Sequence, residues 1–249
     1  MKRTRIRILT CLVVLITVFS LSCPLLKASS EIDNDNFLLE TGMREEDINR
    51  LDEDIKAYIV EDLQTNASVD ELEYIEDIES PTIAPNVNQV LYGISFYVSA
   101  WKSNSTVYIY PTYEFTTAKR PRGNDSFSFQ LGDAMKPHTY GGKMWSRMFD
   151  TDSWTSFPEA NMFANTQTMN GAEYSGKQLG TPDFPIFIKG CAFVHADIGP
   201  GTDKRIIMSY MHNPSRKNYS ISFSYYGVGI SYTSPGTIYT AARTVVLDY

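Results

Sequence analysis

Histidine and cysteine are scarce in this chain, three of each in 249 residues. His138, His195 and His212 lie far apart and show no metal-ligand spacing. Cys11 and Cys23 fall near the N-terminus, which leaves Cys191 alone in the body of the chain. A disulfide framework is thereby excluded, and stability has to come from a packed core. No G-x-S-x-G, H-E-x-x-H or phosphate-loop pattern occurs, so no cofactor is implied. Positive charge is thin as well. Residues 1–30 carry +5, residues 31–80 carry −15 and residues 81–249 only +3, for a net charge of −7. A body so weakly basic excludes nucleic acid as the natural partner, because phosphate neutralisation needs a dense basic patch. From Tyr219 to Ala242 there is no charged residue at all.

Long hydrophobic runs are also missing. Ile8 to Leu21 is mostly apolar but falls short of the ~18–20 residues of a membrane-spanning helix. With a basic start at Met1–Arg7 and small residues at Ala28-Ser29-Ser30, residues 1–30 read as a secretory signal, and the protein as secreted or displayed at the cell surface. Acylation at Cys23 is the alternative, and Ser20 stands where a lipoprotein signal wants a bulky aliphatic residue.

What the chain has in plenty is aromatic residues, 13% of the total, with Tyr the commonest. Leu91 to Thr116 alternates twice around a polar break at Lys102-Ser103-Asn104-Ser105. Strict period-two alternation predicts half-buried strands. A four-residue loop at the break pairs Val98 with Ile109 and Tyr97 with Tyr110. Both apolar sets then share one face, which a one-residue slip would destroy. Phe127, Phe129 and Leu131 mark a third strand, and Lys143 to Asp150 a fourth. Thr151 to Pro185 reads mostly as loop, longer than loops usually run. Phe184 to Asp197 and Arg205 to His212 are further strands. After Tyr219 the apolar parity flips at Gly227, as at a bulge in one bent strand. Ile238 to Leu247 then closes a hairpin over residues 219–246.

Residues 31–80 read as an acidic helical leader. Asp52 is the candidate N-cap, and Ile48, Leu51, Ile55, Tyr58 or Ile59, and Leu63 recur at helical spacing. Leu72, Ile75 and Ile78 extend the pattern until Pro81 and Pro85 mark a boundary. Weak attraction between exposed charges favours a mobile stalk over a docked segment. The run LETGMREEDINRLDEDIKAYIVEDL resembles the N-terminal portion of uncharacterised secreted proteins of Gram-positive bacteria. That resemblance implies a compartment and no activity. The expected layout is a signal at 1–30, the leader at 31–80 and an antiparallel β-sandwich at 81–249, mainly β in class.

Three chemistries compete on this scaffold. Cys191 and His195 share a strand face but sit about 13 Å apart, too far for a nucleophile and its base, which leaves a dyad with His138 or His212 across the sheet, against the plainer reading of Cys191 as core. Asp150 with Asp152, and Asp197 with Asp203, have the look of Ca²⁺-binding loops, but the first lacks the EF-hand glycine and distal Glu, and solvated loops are the plainer reading. The outer hairpin face presents Tyr97, Trp101, Tyr108 and Tyr110, rings that suit stacking on a sugar if the face is open. The reading is a non-enzymatic binding or structural module that engages a cell-envelope glycan or protein through that face. Its alternative is a membrane-active, pore-forming protein that uses the hairpin 219–246, free of charge as far as Ala242.

Overall fold

The computed structural model describes residues 30–80, 90–119, 125–150, 154, 160–161, 166–168, 171–176, 185–212, 219–224, 227–232 and 239–249. The chain divides into two compact units, residues 1–61 and 62–249. None of the described helices is long and apolar enough to cross a membrane.

The first unit is helical, as its periodicity predicts. Helices α1 (Ser30–Glu40), α2 (Glu45–Ile48) and α3 (Glu53–Asn66) follow one another, α3 running across the unit boundary. Gly42, at φ +91°, ends α1 in the left-handed conformation that costs glycine least. Asp52 caps α3, its Oδ1 accepting the Asp54 amide at 3.0 Å. Leu38, Ile48, Leu51, Ile55 and Ile59 are buried together with one cation, Lys56. Burial works against the Lys56 ammonium, but hydrogen bonds to Asp35 (2.8 Å) and Glu53 (2.6 Å) outweigh it and raise its pKa.

The second unit is an antiparallel β-sandwich. Its strands are β1 (Glu73–Ser80), β2 (Ile94–Ser103), β3 (Thr106–Phe115), β4 (Asp125–Leu131), β5 (Met135–Met148), β6 (Ala160–Asn161), β7 (Thr166–Thr168), β8 (Gly171–Gly176), β9 (Ile186–Ile198), β10 (Arg205–His212), β11 (Tyr219–Ser224), β12 (Gly227–Tyr232) and β13 (Tyr239–Asp248). Eleven of them form one continuous sheet in the order β6-β5-β9-β3-β2-β1-β13-β10-β4-β8-β7. That sheet doubles over at β1. Glu73, Tyr74 and Ile75 pair with β2, whereas Glu76 to Ser80 pair with β13. The halves meet through aromatic rings: Tyr113 of β3 lies 4.7 Å from Phe127 of β4 and 4.9 Å from Tyr210 of β10. On the far side the Tyr174 hydroxyl of β8 donates to the Gly141 carbonyl of β5 at 2.9 Å. Gly190 lies directly opposite Tyr113, and a Cβ there would come within 2.5 Å of the Tyr113 ring. Only glycine leaves that ring its place.

Four expectations are corrected. The acidic run 73–80 is a strand, so the boundary expected at Pro81–Pro85 falls inside the second unit. Helical spacing misled because, among the described side chains of this strand, only Ile75 is buried, the strand being split between two half-sheets. The β2–β3 register is Val98 opposite Pro111 and Ser99 opposite Tyr110, with a loop of only Asn104-Ser105. Asn104 takes φ +56°, a conformation Asn tolerates better than most, and this permits the tighter turn. Parity is unchanged, so the core face is the one the alternation predicted. Within residues 151–185 the loop reading missed three strands, β6, β7 and β8, of which β8 pairs along β4; most other positions there lie outside the described residues. Finally, β11 and β12 are two strands joined at 225–226, and β13 pairs with β10 and β1 instead of closing a hairpin with them. The parity flip at Gly227 marks the change from one strand to the next.

Candidate functional site

Alternation along β2, β3, β5 and β9 sends Val98, Ile109, Met144 and Val194 into the core. The opposite face carries Trp101, Tyr108, Tyr110, Thr112, Cys191, Lys189, His195 and Trp145. This second face is buried too. Trp101 and Tyr110 are 0% exposed, Tyr108 is 7% exposed, and Tyr97 is half-buried. The expected open aromatic platform is therefore corrected at Trp101, Tyr108 and Tyr110. Trp101 packs edge-on to Tyr74 (5.3 Å) and Tyr110 (5.8 Å). The last turn of α3 supplies polar partners: Asp62 Oδ2 accepts from the Tyr110 hydroxyl at 2.7 Å, and the Asn66 carbonyl accepts from the Tyr108 hydroxyl at 2.7 Å. Burial, and then the charge of Asp62, raise the Tyr108 pKa.

Most side chains able to do chemistry are sealed into such bonds. His195 Nε2 stands 2.8 Å from Asp62 Oδ2, with the Tyr108 ring 4.7 Å from its own. His212 Nδ1 stands 2.9 Å from Asp125 Oδ2, which also accepts from the Tyr210 hydroxyl at 3.1 Å, and Asp125 is 0% exposed. Cys191 accepts from the Thr112 hydroxyl at 3.3 Å, and burial pushes its thiol up to about 12. His138 is the exposed exception, 3.9 Å from Asp197. Asp203 is committed to a two-pronged pair with Arg205, at 2.8 Å and 2.7 Å. That pair leaves Asp203 poorly placed to act as a loop cation ligand. Asp152 lies outside the described residues. Among the described residues no group of three His, Cys, Asp or Glu is placed to hold a metal.

The same outer face ends differently between β5 and β9. Antiparallel pairing sets Trp145 opposite Lys189 and Arg147 opposite Phe187. The Arg147 guanidinium lies 4.2 Å from the Phe187 ring centre and 5.1 Å from that of Trp154. Beside it the Lys189 ammonium sits 4.1 Å from Trp154 and 5.6 Å from Trp145, and Lys143 lies 5.7 Å from Trp145. Lys189 is fully buried, with Glu114 opposite it on β3. Arg147, Trp154, Phe187 and Lys143 are half-buried and so present part of their surface to solvent. Cations over aromatic faces gain from the ring quadrupole, most when desolvated. The sequence hid this cluster because its six members come from two strands and a loop position some forty residues apart. Alternation of Lys143, Trp145 and Arg147 was its one local sign.

No protein-family model matches the chain, and no curated protein does. Among solved structures it is similar to a pore forming protein, at 7% identity and a TM-score of 0.35 over 72% of this chain and 95% of that one. It is similar to the collagen-binding subdomain of the Enterococcus faecalis surface protein ACE, at 8% identity and 0.32 over 61% and 96%. It is also similar to Clostridium perfringens delta-toxin, at 7% identity and 0.32 over 72% and 94%. Similarity this low decides nothing about what the chain does.

Proposed function

We infer that the protein is a non-catalytic binding module that works outside the cell and takes anionic envelope polymers on the β5–β9 end of the sandwich. The observation that carries this reading is the Arg147 guanidinium lying over the rings of both Phe187 and Trp154. Contact with aromatic rings restricts the guanidinium's orientation, and its planar geometry matches carboxylate, sulfate or phosphate groups. Holding it in place beforehand reduces the entropy lost on binding. Trp154 offers a ring for the apolar face of a sugar, and Lys143 adds a second charge to the same end. The sealing of Cys191, His195 and His212 into buried bonds supports contact over catalysis. The N-terminal signal-like segment supports an extracellular site of action.

Dextran sulfate and neutral dextran test this reading by titration calorimetry at low and physiological salt. The sulfated polymer is expected to bind and to weaken as salt rises, with neutral dextran inert. Arg147→Gln and Trp154→Ala should each weaken binding about tenfold, or ~1.4 kcal/mol. Equal binding of both polymers, or unchanged affinity in Arg147→Gln, would overturn it. A second reading, action at a lipid bilayer, is favoured by the charge-free hairpin set apart from the main sheet.

A further inference from the structure

Strand β5 carries one residue too many for its partner. Its register with β9 shifts between Pro137, opposite Ala196, and Thr139, opposite His195, so His138 is an extra residue in the ladder. A bulge of this kind re-aims the side chain of the added residue. Here it brings the His138 ring to 6.3 Å from that of His195 and sets its Nε2 3.9 Å from Asp197 Oδ1. Asp197 follows His195 by two positions on β9, so both point to the outer face of the sheet.

The two side chains have the supports that metal ligands need. His138 Nδ1 lies 2.9 Å from the Thr139 hydroxyl. In the tautomer in which Nδ1 donates there, Nε2 keeps its lone pair for a metal. Asp197 Oδ1 accepts from the Thr106 hydroxyl at 3.5 Å. Nitrogen and oxygen ligands lie about 2.1 Å from zinc, which sets two of them about 3.4 Å apart at a tetrahedral angle. The observed pair is within about half an ångström of that spacing, a small closure for side chains that are 46% and 60% exposed. Lys136 lies opposite Asp197, but it is exposed, so water screens its charge.

Two ligands do not close a zinc site, which in structural use takes four. Among the described residues no third His, Cys, Asp or Glu joins them. The chain's other two histidines are committed, His195 to Asp62 at 2.8 Å and His212 to Asp125 at 2.9 Å. A second imidazole therefore has to come from another molecule. Among the described residues the outer edge of β5 is paired only at Lys143 and Met144, by β6, so no described strand lies beyond His138. We propose that His138 and Asp197 form half of a zinc site, which the same two residues of a second copy complete, so that the ion joins two chains into a dimer. A two-fold axis through the ion supplies the second pair without any new residue, and closed two-fold dimers are the commonest assemblies. Two neutral imidazoles and two carboxylates also balance the charge of Zn²⁺.

The test is sedimentation velocity on protein purified from the medium of a secreting host, without a polyhistidine tag and stripped with EDTA, to which zinc sulfate or magnesium chloride is added. Zinc is expected to convert monomer to dimer at one ion for two chains, and excess EDTA to reverse the change. Magnesium should leave the monomer, since it demands six oxygen-type ligands in octahedral array. His138→Ala and Asp197→Asn each remove two of the four ligands and should weaken the zinc-dependent association at least about tenfold, with the melting temperature in EDTA unchanged. A sedimentation profile indifferent to zinc would overturn the proposal, as would a dimer that forms equally in EDTA. Zinc bound at one ion per chain without association would show that water fills the open positions, which also overturns it. A zinc dimer that survives both substitutions would put the bridge on other residues and sink the assignment.

Discussion

Asp62 on the last turn of α3 and His195 on β9 are 133 positions apart and meet at 2.8 Å, both side chains nearly buried. The carboxylate also accepts from Tyr110, so one residue holds the helix end to the outer face of the sheet.

Asp62→Ala leaves the Tyr110 hydroxyl and the His195 ring nitrogen without this acceptor in a buried place. Removing one partner of such a network costs about 2 to 4 kcal/mol. Urea denaturation is expected to show that loss with little change in slope. A midpoint matching the wild type would show that the contact contributes nothing.

The position of β1 fixes where the sandwich begins. A chain of residues 81–249 lacks Asp62, Asn66 and the strand that joins the half-sheets, and it should fail to fold. Circular dichroism and one-dimensional NMR check this. A well-dispersed spectrum from residues 81–249 would mean that β1 is dispensable.

The Tyr113 hydroxyl is buried in the centre of the core with no hydrogen-bond partner among the described residues. Burial, then the charge of Asp125, raise its pKa. Tyr113→Phe removes an unpaired polar group without removing the ring, so it should stabilise the protein by about 1 kcal/mol. Gly190→Ala should cost about 1 to 3 kcal/mol, because the new Cβ meets the same ring. Thermal melts of the two variants should move in opposite directions, and a loss of stability in Tyr113→Phe would refute the first.

The Arg205 guanidinium holds the Asp203 carboxyl below the usual aspartate range, by hydrogen bonding that outweighs burial. A depressed carboxylate contributes stability above its unfolded value, near ~3.9, and loses it as pH falls through the lower folded value. The pair is partly exposed, so its worth is about 0.5 to 1 kcal/mol. Arg205→Gln should therefore lower the denaturation midpoint at pH 7, and the gap from wild type should close as acid protonates Asp203. A gap constant from pH 7 down to pH 2 would count against this account.

Sequence alone determined which faces of β2, β3 and α3 turn inward. Alternation around residues 94–115 put Val98, Ile109 and Phe115 in the core, and the 3.6-residue recurrence of Ile55, Ile59 and Leu63 with the Asp52 cap produced α3. These patterns are local, because a side chain's direction is set by its own backbone and its neighbours two or four places away. Tertiary structure decided the rest. The two-residue shift in register kept every face and so left no trace in the alternation. It depended on one left-handed residue, Asn104. Whether the aromatic face was open depended on Asp62 and Asn66, residues of a helix whose own pattern says nothing about what its last turn touches. The acidic strand β1 reads as helix because part of its length serves each half-sheet and, among its described side chains, only Ile75 is buried. Pairing between distant segments is a property of the closed sheet, and no window of sequence contains both partners.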